Sequence, residues 1–252
     1  MLPAVPSQPQ RSLRRSAAVA IALSAAVLLA GCQNKASIGG GDPLTTGSTS
    51  APDDKLSFKK TEQLAAAWNK DQGNAAIGMA YADNLQKFGQ QQNAAQVLQK
   101  VSSANAANGD VQARIGKSFL AMGDFPNAAT TLERAVTVKP QDWQSLSALG
   151  SAYDQLSRHG EARDRYKQAL ALKPDAVAVR NNYAMSFALQ GQLPDAEKML
   201  RELMNTTGAD APRVRQNLAL VVGLQGRFDE ARKIASEDLP PDEVEANLAY
   251  LQ

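Results

Sequence analysis

Two residues of this 252-residue chain could carry chemistry of their own by type, and each stands alone: Cys32 is the one cysteine and His159 the one histidine. A zinc site of histidine and cysteine needs three or four such ligands, and a Ser-His-Asp relay needs a histidine held out of water. His159 falls at the turn between two predicted helices with no ligand spacing around it, so the expectation is no metal site, no cofactor and no catalytic triad. Neither a phosphate-cradling G-x-x-x-x-G-K-[ST] run nor a G-x-S-x-G elbow occurs. The acid pairs Asp53-Asp54 and Asp229-Glu230 fall in a linker and at a helix start, where carboxylates meet the helix dipole favourably. The chain reads as a non-enzyme with no small-molecule substrate, and a single cysteine allows no disulfide within one molecule.

What positions the remaining residues is a repeat. Alanine returns every 34 residues at Ala94, Ala128, Ala162 and Ala196, then 35 later at Ala231. Upstream of each comes an apolar residue followed by a small one: Tyr81-Ala82, Ile115-Gly116, Leu149-Gly150, Tyr183-Ala184 and Leu218-Ala219. A large apolar residue follows at Leu85, Phe119, Tyr153, Phe187 and Val222, then Gly89, Gly123, Gly191 and Gly226, with Ser157 and Gly160 serving the third unit. Leu146, Leu149, Gly150 and Tyr153 make one helical stripe, and Ala162, Tyr166 and Ala169 a second, so each unit is a helical hairpin. Gly150 and Ala162 are expected to face each other and let the two axes approach. Pro140 and Pro174 end the second helices of two units. A lone hairpin cannot cover its apolar stripe, so neighbours must stack.

This pattern resembles the tetratricopeptide repeat. The resemblance implies an all-α, right-handed solenoid over residues 58–252, with about five repeats starting near 75, 109, 143, 177 and 212. Helices at Lys59 to Asn69, carrying Trp68, and at Glu243 to Leu251 would cap its two ends. A composition rich in Ala, Leu and Gln, with 5% aromatic residues, agrees.

The N-terminus carries a second signal. Arg11, Arg14 and Arg15 precede an uncharged run from Ser16 to Ala30, too short to span a bilayer, so residues 1–31 read as a signal peptide. Leu29-Ala30-Gly31-Cys32 resembles the bacterial lipobox, which implies that Cys32 becomes the acylated first residue of the mature protein. Residues 32–57, with Gly39-Gly40-Gly41 and Ala51-Pro52, read as a flexible linker. Removing the three arginines of 1–31 leaves 24 basic against 25 acidic residues, and no basic stripe with interleaved aromatics remains. Nucleic acid is therefore not an expected partner.

In tetratricopeptide solenoids the first helices line the concave face. By position that face holds Met79, Asp83 and Gln86, then Ala113, Lys117 and Leu120, then Gln144, Ser147, Ser151 and Asp154. Its rear holds Ala178, Asn181, Met185, Ala188, Arg213, Gln216 and Leu220. Asn181, Met185, Gln216 and Leu220 form the candidate groove for a partner segment, unless the closing helix covers Met185, Leu189, Leu220 and Leu224. The two-lysine, two-asparagine clamp for a terminal carboxylate is not reproduced.

The paired runs RNNYA at Arg180 and RQNLA at Arg215, the stretch RVRQNLALVVGLQGRFDEA from Arg213, YADNLQKFGQ at Tyr81, LSRHGEARDRY at Leu156 and ANLAYL at Ala246 narrow this further. Over residues 60 to 251 the chain resembles the TadD family, the tetratricopeptide-repeat lipoproteins of Flp (Tad) pilus assembly. The resemblance implies an outer-membrane, periplasm-facing lipoprotein that helps assemble or target the secretin ring. Gln33 after the acylated cysteine fits outer-membrane sorting. The alternative is a general envelope adaptor that docks peptidoglycan-processing or cell-division proteins.

Overall fold

The computed structural model describes residues 52–207 and 211–251, with side chains from 59 to 206 and from 211 to 251. The signal peptide, Cys32 and most of the linker lie outside the described residues. Within them the chain is all-α: α1 (Pro52–Lys70), α2 (Ala75–Lys87), α3 (Gln91–Ala104), α4 (Gly109–Ala121), α5 (Phe125–Val138), α6 (Trp143–Gln155), α7 (His159–Leu172), α8 (Val177–Leu189), α9 (Leu193–Thr207), α10 (Pro212–Leu224), α11 (Phe228–Ala235) and α12 (Pro241–Leu251). α1 begins at Pro52 and takes in the last residues assigned to the linker. None of these helices is long and apolar enough to cross a membrane.

Local chemistry sets the boundaries. Asn74, Asn108 and Asp142, 34 residues apart, cap α2, α4 and α6 by accepting from the backbone N–H of Ile77, Val111 and Gln144 at 3.1–3.2 Å. In the next two units that position is Ala176 and Ala211, which are buried and cap nothing. Each first helix ends on a residue in the left-handed region: Gly89, Gly123, Gly191 and Gly226 at φ 71–80°, and Ser157 at φ 59°. There the next N–H folds back onto the carbonyl of Leu85, Phe119, Tyr153, Phe187 or Val222 at 2.8–3.3 Å, the large apolar residues of the repeat. Ser157 alone supplies this turn in the third unit, since Gly160 lies within α7. Lys139 and Lys173, preceding the prolines, adopt ψ 75° and 81°, out of the helical region.

Five hairpins, α2–α3, α4–α5, α6–α7, α8–α9 and α10–α11, stack in order, each second helix packing on the first helix of the next unit. First helices also approach one another, α4 to α6, α6 to α8, α8 to α10 and α10 to α12, so they form the inner layer of the solenoid. α1 packs on α2 as a preceding second helix would, and its Trp68, 3% exposed, fills the space above Gly78. α12 packs on α10 and α11 in the place of a further first helix, with Val244 and Leu248 buried and Leu251 against Gly223.

One expected contact is different. A Cβ on Gly150 would stand 2.7–2.9 Å from three ring carbons of Tyr166, and these rather than Ala162 are its nearest neighbours. Gly116 meets Leu132, the equivalent residue one unit earlier, in the same way. Each of these glycines makes room for the large side chain one turn after the repeating alanine.

Candidate functional site

The inner layer places the predicted groove residues on two adjacent helices. Asn181 and Met185 come from α8, Gln216 and Leu220 from α10. Gln216 is exposed, Met185 and Leu220 are half-buried, and Asn181 is only 2% exposed. The Asn181 carbonyl oxygen accepts from Asn217 Nδ2 at 2.9 Å, a carboxamide pair that joins the two helices beneath the surface. The amide groups open to a ligand are therefore those of Gln216 and the half-buried Asn217, while Asn181 holds their helix in place. Met185 packs on the rear apolar core and keeps part of its thioether side chain at the surface.

Further forward, the inner face is more closed than its stripe implies. Met79 and Ala113 are buried, whereas Asp83, Lys117 and Gln144 are exposed. α12 continues the inner layer beside α10.

Asp154, read as a groove residue, is 7% exposed and sits at the centre of a polar cluster. Its Oδ1 accepts from Ser186 Oγ at 2.7 Å and lies 2.9 Å from His159 Nδ1, and its Oδ2 accepts from Tyr166 Oη at 3.0 Å. Tyr166 Oη lies 3.2 Å from Ser151 Oγ, which accepts from Asn182 Nδ2 at 3.4 Å. Burial raises the Asp154 carboxyl above its ordinary value, and the contacts from His159, Ser186 and Tyr166 oppose that rise. The repeat pattern puts His159 at an exposed turn; in the structure it opens α7 with its side chain 15% exposed and its ring turned onto Asp154. The cluster is not a catalytic relay. Ser186 is fully buried and its hydroxyl donates to the carboxylate rather than to the imidazole, so Ser186, His159 and Asp154 are not in the order of a Ser-His-Asp relay. Among the described residues no three His, Cys, Asp or Glu side chains come together as metal ligands.

This cluster had one signal in the sequence. Tyr166 stands where other units carry Leu98, Leu132 and Leu200, and a buried phenol requires a partner. A second missed residue is Arg215 on α10, 7% exposed. It donates from Nε and Nη2 to Asp238 at 2.6 and 2.8 Å and from Nη1 to Glu237 at 2.9 Å, fastening the approach to α12.

Comparison with known proteins agrees with this geometry. Tetratricopeptide repeat family models match residues 114–164 and 155–221. The peroxisomal targeting signal receptor of Candida glabrata is 33% identical over 89 residues, which are 35% of this chain and 15% of the receptor. The receptor of Saccharomyces cerevisiae is 29% identical over 110 residues, 44% of this chain and 18% of that one. The chain thus spans less than a fifth of the length of these relatives. Among solved structures, a tetratricopeptide repeat protein from Parabacteroides merdae superposes with a TM-score of 0.65 at 19% identity, covering 79% of this chain and 78% of its own. A thermophilic repeat protein from Thermus thermophilus gives 0.56 at 20% identity, covering 71% of this chain and 98% of its own.

Proposed function

Starting from a tetratricopeptide-repeat solenoid, a scaffold for protein–protein interaction, we propose that this chain is a lipid-anchored assembly factor of the Flp (Tad) pilus. It faces the periplasm from the outer membrane, held by acylated Cys32, and assists secretin assembly or targeting by holding a secretin segment on its inner face. The resemblance of the runs at Arg180 and Arg213 to TadD lipoproteins supports the pilus assignment, and the lipobox-like end of the apolar N-terminal run supports the anchor.

The observation that carries the binding mode is the pairing of half-buried Met185 and Leu220 on α8 and α10 beside the exposed Gln216. Apolar side chains there bury the anchors of an amphipathic or extended segment, and the carboxamides meet its backbone. Met185→Glu would put a carboxylate into a dry contact without a counter-charge and weaken binding. The test is a pull-down of purified secretin with folded Met185→Glu protein, beside Lys167→Glu on the exposed side of α7. Selective loss with Met185→Glu is expected. Equal binding by both variants, or equal loss, would remove the groove from the proposal. Retention of a peptidoglycan hydrolase in place of the secretin would instead favour a general envelope adaptor.

A further inference from the structure

α12 repeats the first-helix pattern: Asn247-Leu248-Ala249 is in register with Asn182-Tyr183-Ala184 and Asn217-Leu218-Ala219. The small residue of that pattern is buried in each of the five hairpins, at Ala82, Gly116, Gly150, Ala184 and Ala219. At Gly116 and Gly150 the cover is Leu132 and Tyr166 of the unit's own second helix. Ala249, the same residue in α12, is exposed, and among the described residues no second helix follows it. α1 is the converse. Its Leu64 is in register with Leu98, Leu132, Tyr166 and Leu200, which are all fully buried, yet Leu64 is only half-buried. Lys60, in register with the repeating alanine, is exposed, and among the described residues no first helix precedes α1. One end of the solenoid thus shows a first helix without its second, and the other a second helix without its first.

We propose that α1 of one copy of this chain docks on α12 of another and completes a sixth hairpin, so that copies join head to tail. Leu64 fills the space beside Ala249 as Leu132 fills that beside Gly116. In such a hairpin the start of the first helix lies beside the end of the second, as Asp110 of α4 meets Lys139 of α5 at 2.6 Å. The two ends carry matching charges at those places: Asp242 and Glu243 open α12 and Lys70 closes α1, all three exposed. Their attraction fixes the antiparallel orientation more than it adds affinity. The contact joins two different surfaces, so each added copy again leaves a free α1 and a free α12. Lys60 limits its strength, because a lysine stem stands where the other second helices place the alanine that lets the axes approach.

Sedimentation velocity of the full chain purified in detergent, over a range of concentrations, tests this with no secretin present and so apart from the groove. The parent should form species that grow with concentration. Ala249→Arg puts a bulky side chain, itself a good helix former, at an exposed position and should leave single copies. Lys60→Ala restores the repeating alanine and frees no buried group, and it should bring on association at a roughly tenfold lower concentration. Tyr250, 84% exposed, is in register with Met185 and Leu220 and so belongs to the inner layer rather than to the face that takes a second helix. Tyr250→Ser should therefore associate as the parent does. A parent that stays single at every concentration, an Ala249→Arg protein that associates like the parent, or no gain with Lys60→Ala would each overturn the proposal. Association lost with Tyr250→Ser and kept with Ala249→Arg would also overturn it, by marking a general apolar contact of α12.

Discussion

Gly150 lacks a side chain because the Tyr166 ring occupies the space one would fill, and that ring is in turn fixed by its hydroxyl on Asp154. Gly150→Leu must therefore displace a buried aromatic residue rather than a methyl group, at a cost of at least about 1 to 3 kcal/mol in a denaturant melt. A variant as stable as its parent would mean that α6 and α7 are not in this register. A second residue prediction concerns Cys32. A single acyl chain binds a bilayer only marginally, at about 10⁴ M⁻¹, and the three chains expected on Cys32 bind far more firmly. Cys32→Ser should abolish radiolabelled palmitate incorporation and release the protein from the membrane fraction; label persisting in that variant refutes the anchor.

At the scale of elements, each hairpin is closed by one left-handed residue and joined to the next by side chains from two or three helices. Glu197 on α9 shows the second part. Its Oε2 accepts from Arg227 and, at 2.8 Å, from Gln225, and its Oε1 from Arg201 at 2.9 Å, so α9, the end of α10 and the start of α11 share one carboxylate. Arg227 foremost, with Gln225 and Arg201, lowers its pKa from 4.5 to about 2 against the opposing effect of burial. A depressed folded value means that this stabilisation is complete above about 4.5 and is lost as the pH falls from there toward about 2. Glu197→Gln should lose about 1 to 2 kcal/mol at neutral pH, allowing for solvent screening of the half-exposed guanidiniums, and its stability should depend less on pH in that acid window. Urea midpoints at pH 7 and pH 3 check this, and an equal acid loss in parent and variant would contradict it.

The hairpins themselves were legible in the sequence because local signals recur along it: the alanine period in all five units, the turn glycine in four and the closing proline in two. The joints were less so. Asp154 sits on the same helical stripe as the half-buried Ser147 and Ser151, and the approach of α7 and α8 buries that position further. Asn181 likewise shares a stripe with Met185 yet is covered through its contact with Asn217, 36 residues away. Patterning along one helix does not report which of its edges a neighbour will cover. Tyr166 in a leucine position was the one sequence clue to the buried cluster.

For the whole molecule, the stack of first helices is the surface on which a partner can touch several repeats at once, and Gln216 stands exposed on it beside half-buried Met185 and Leu220. Lys167, exposed on the second helix α7, belongs to the other layer. The central claim is that a secretin segment lies on the inner layer. Site-specific photo-crosslinking tests it most directly, with a photoreactive residue at Gln216 or at Lys167 of the otherwise unchanged protein and the secretin subunit as the identified product. The account predicts a secretin crosslink from Gln216, lost on adding Met185→Glu, and none from Lys167. A crosslink from Lys167 alone, or equal crosslinks from both positions, would contradict it.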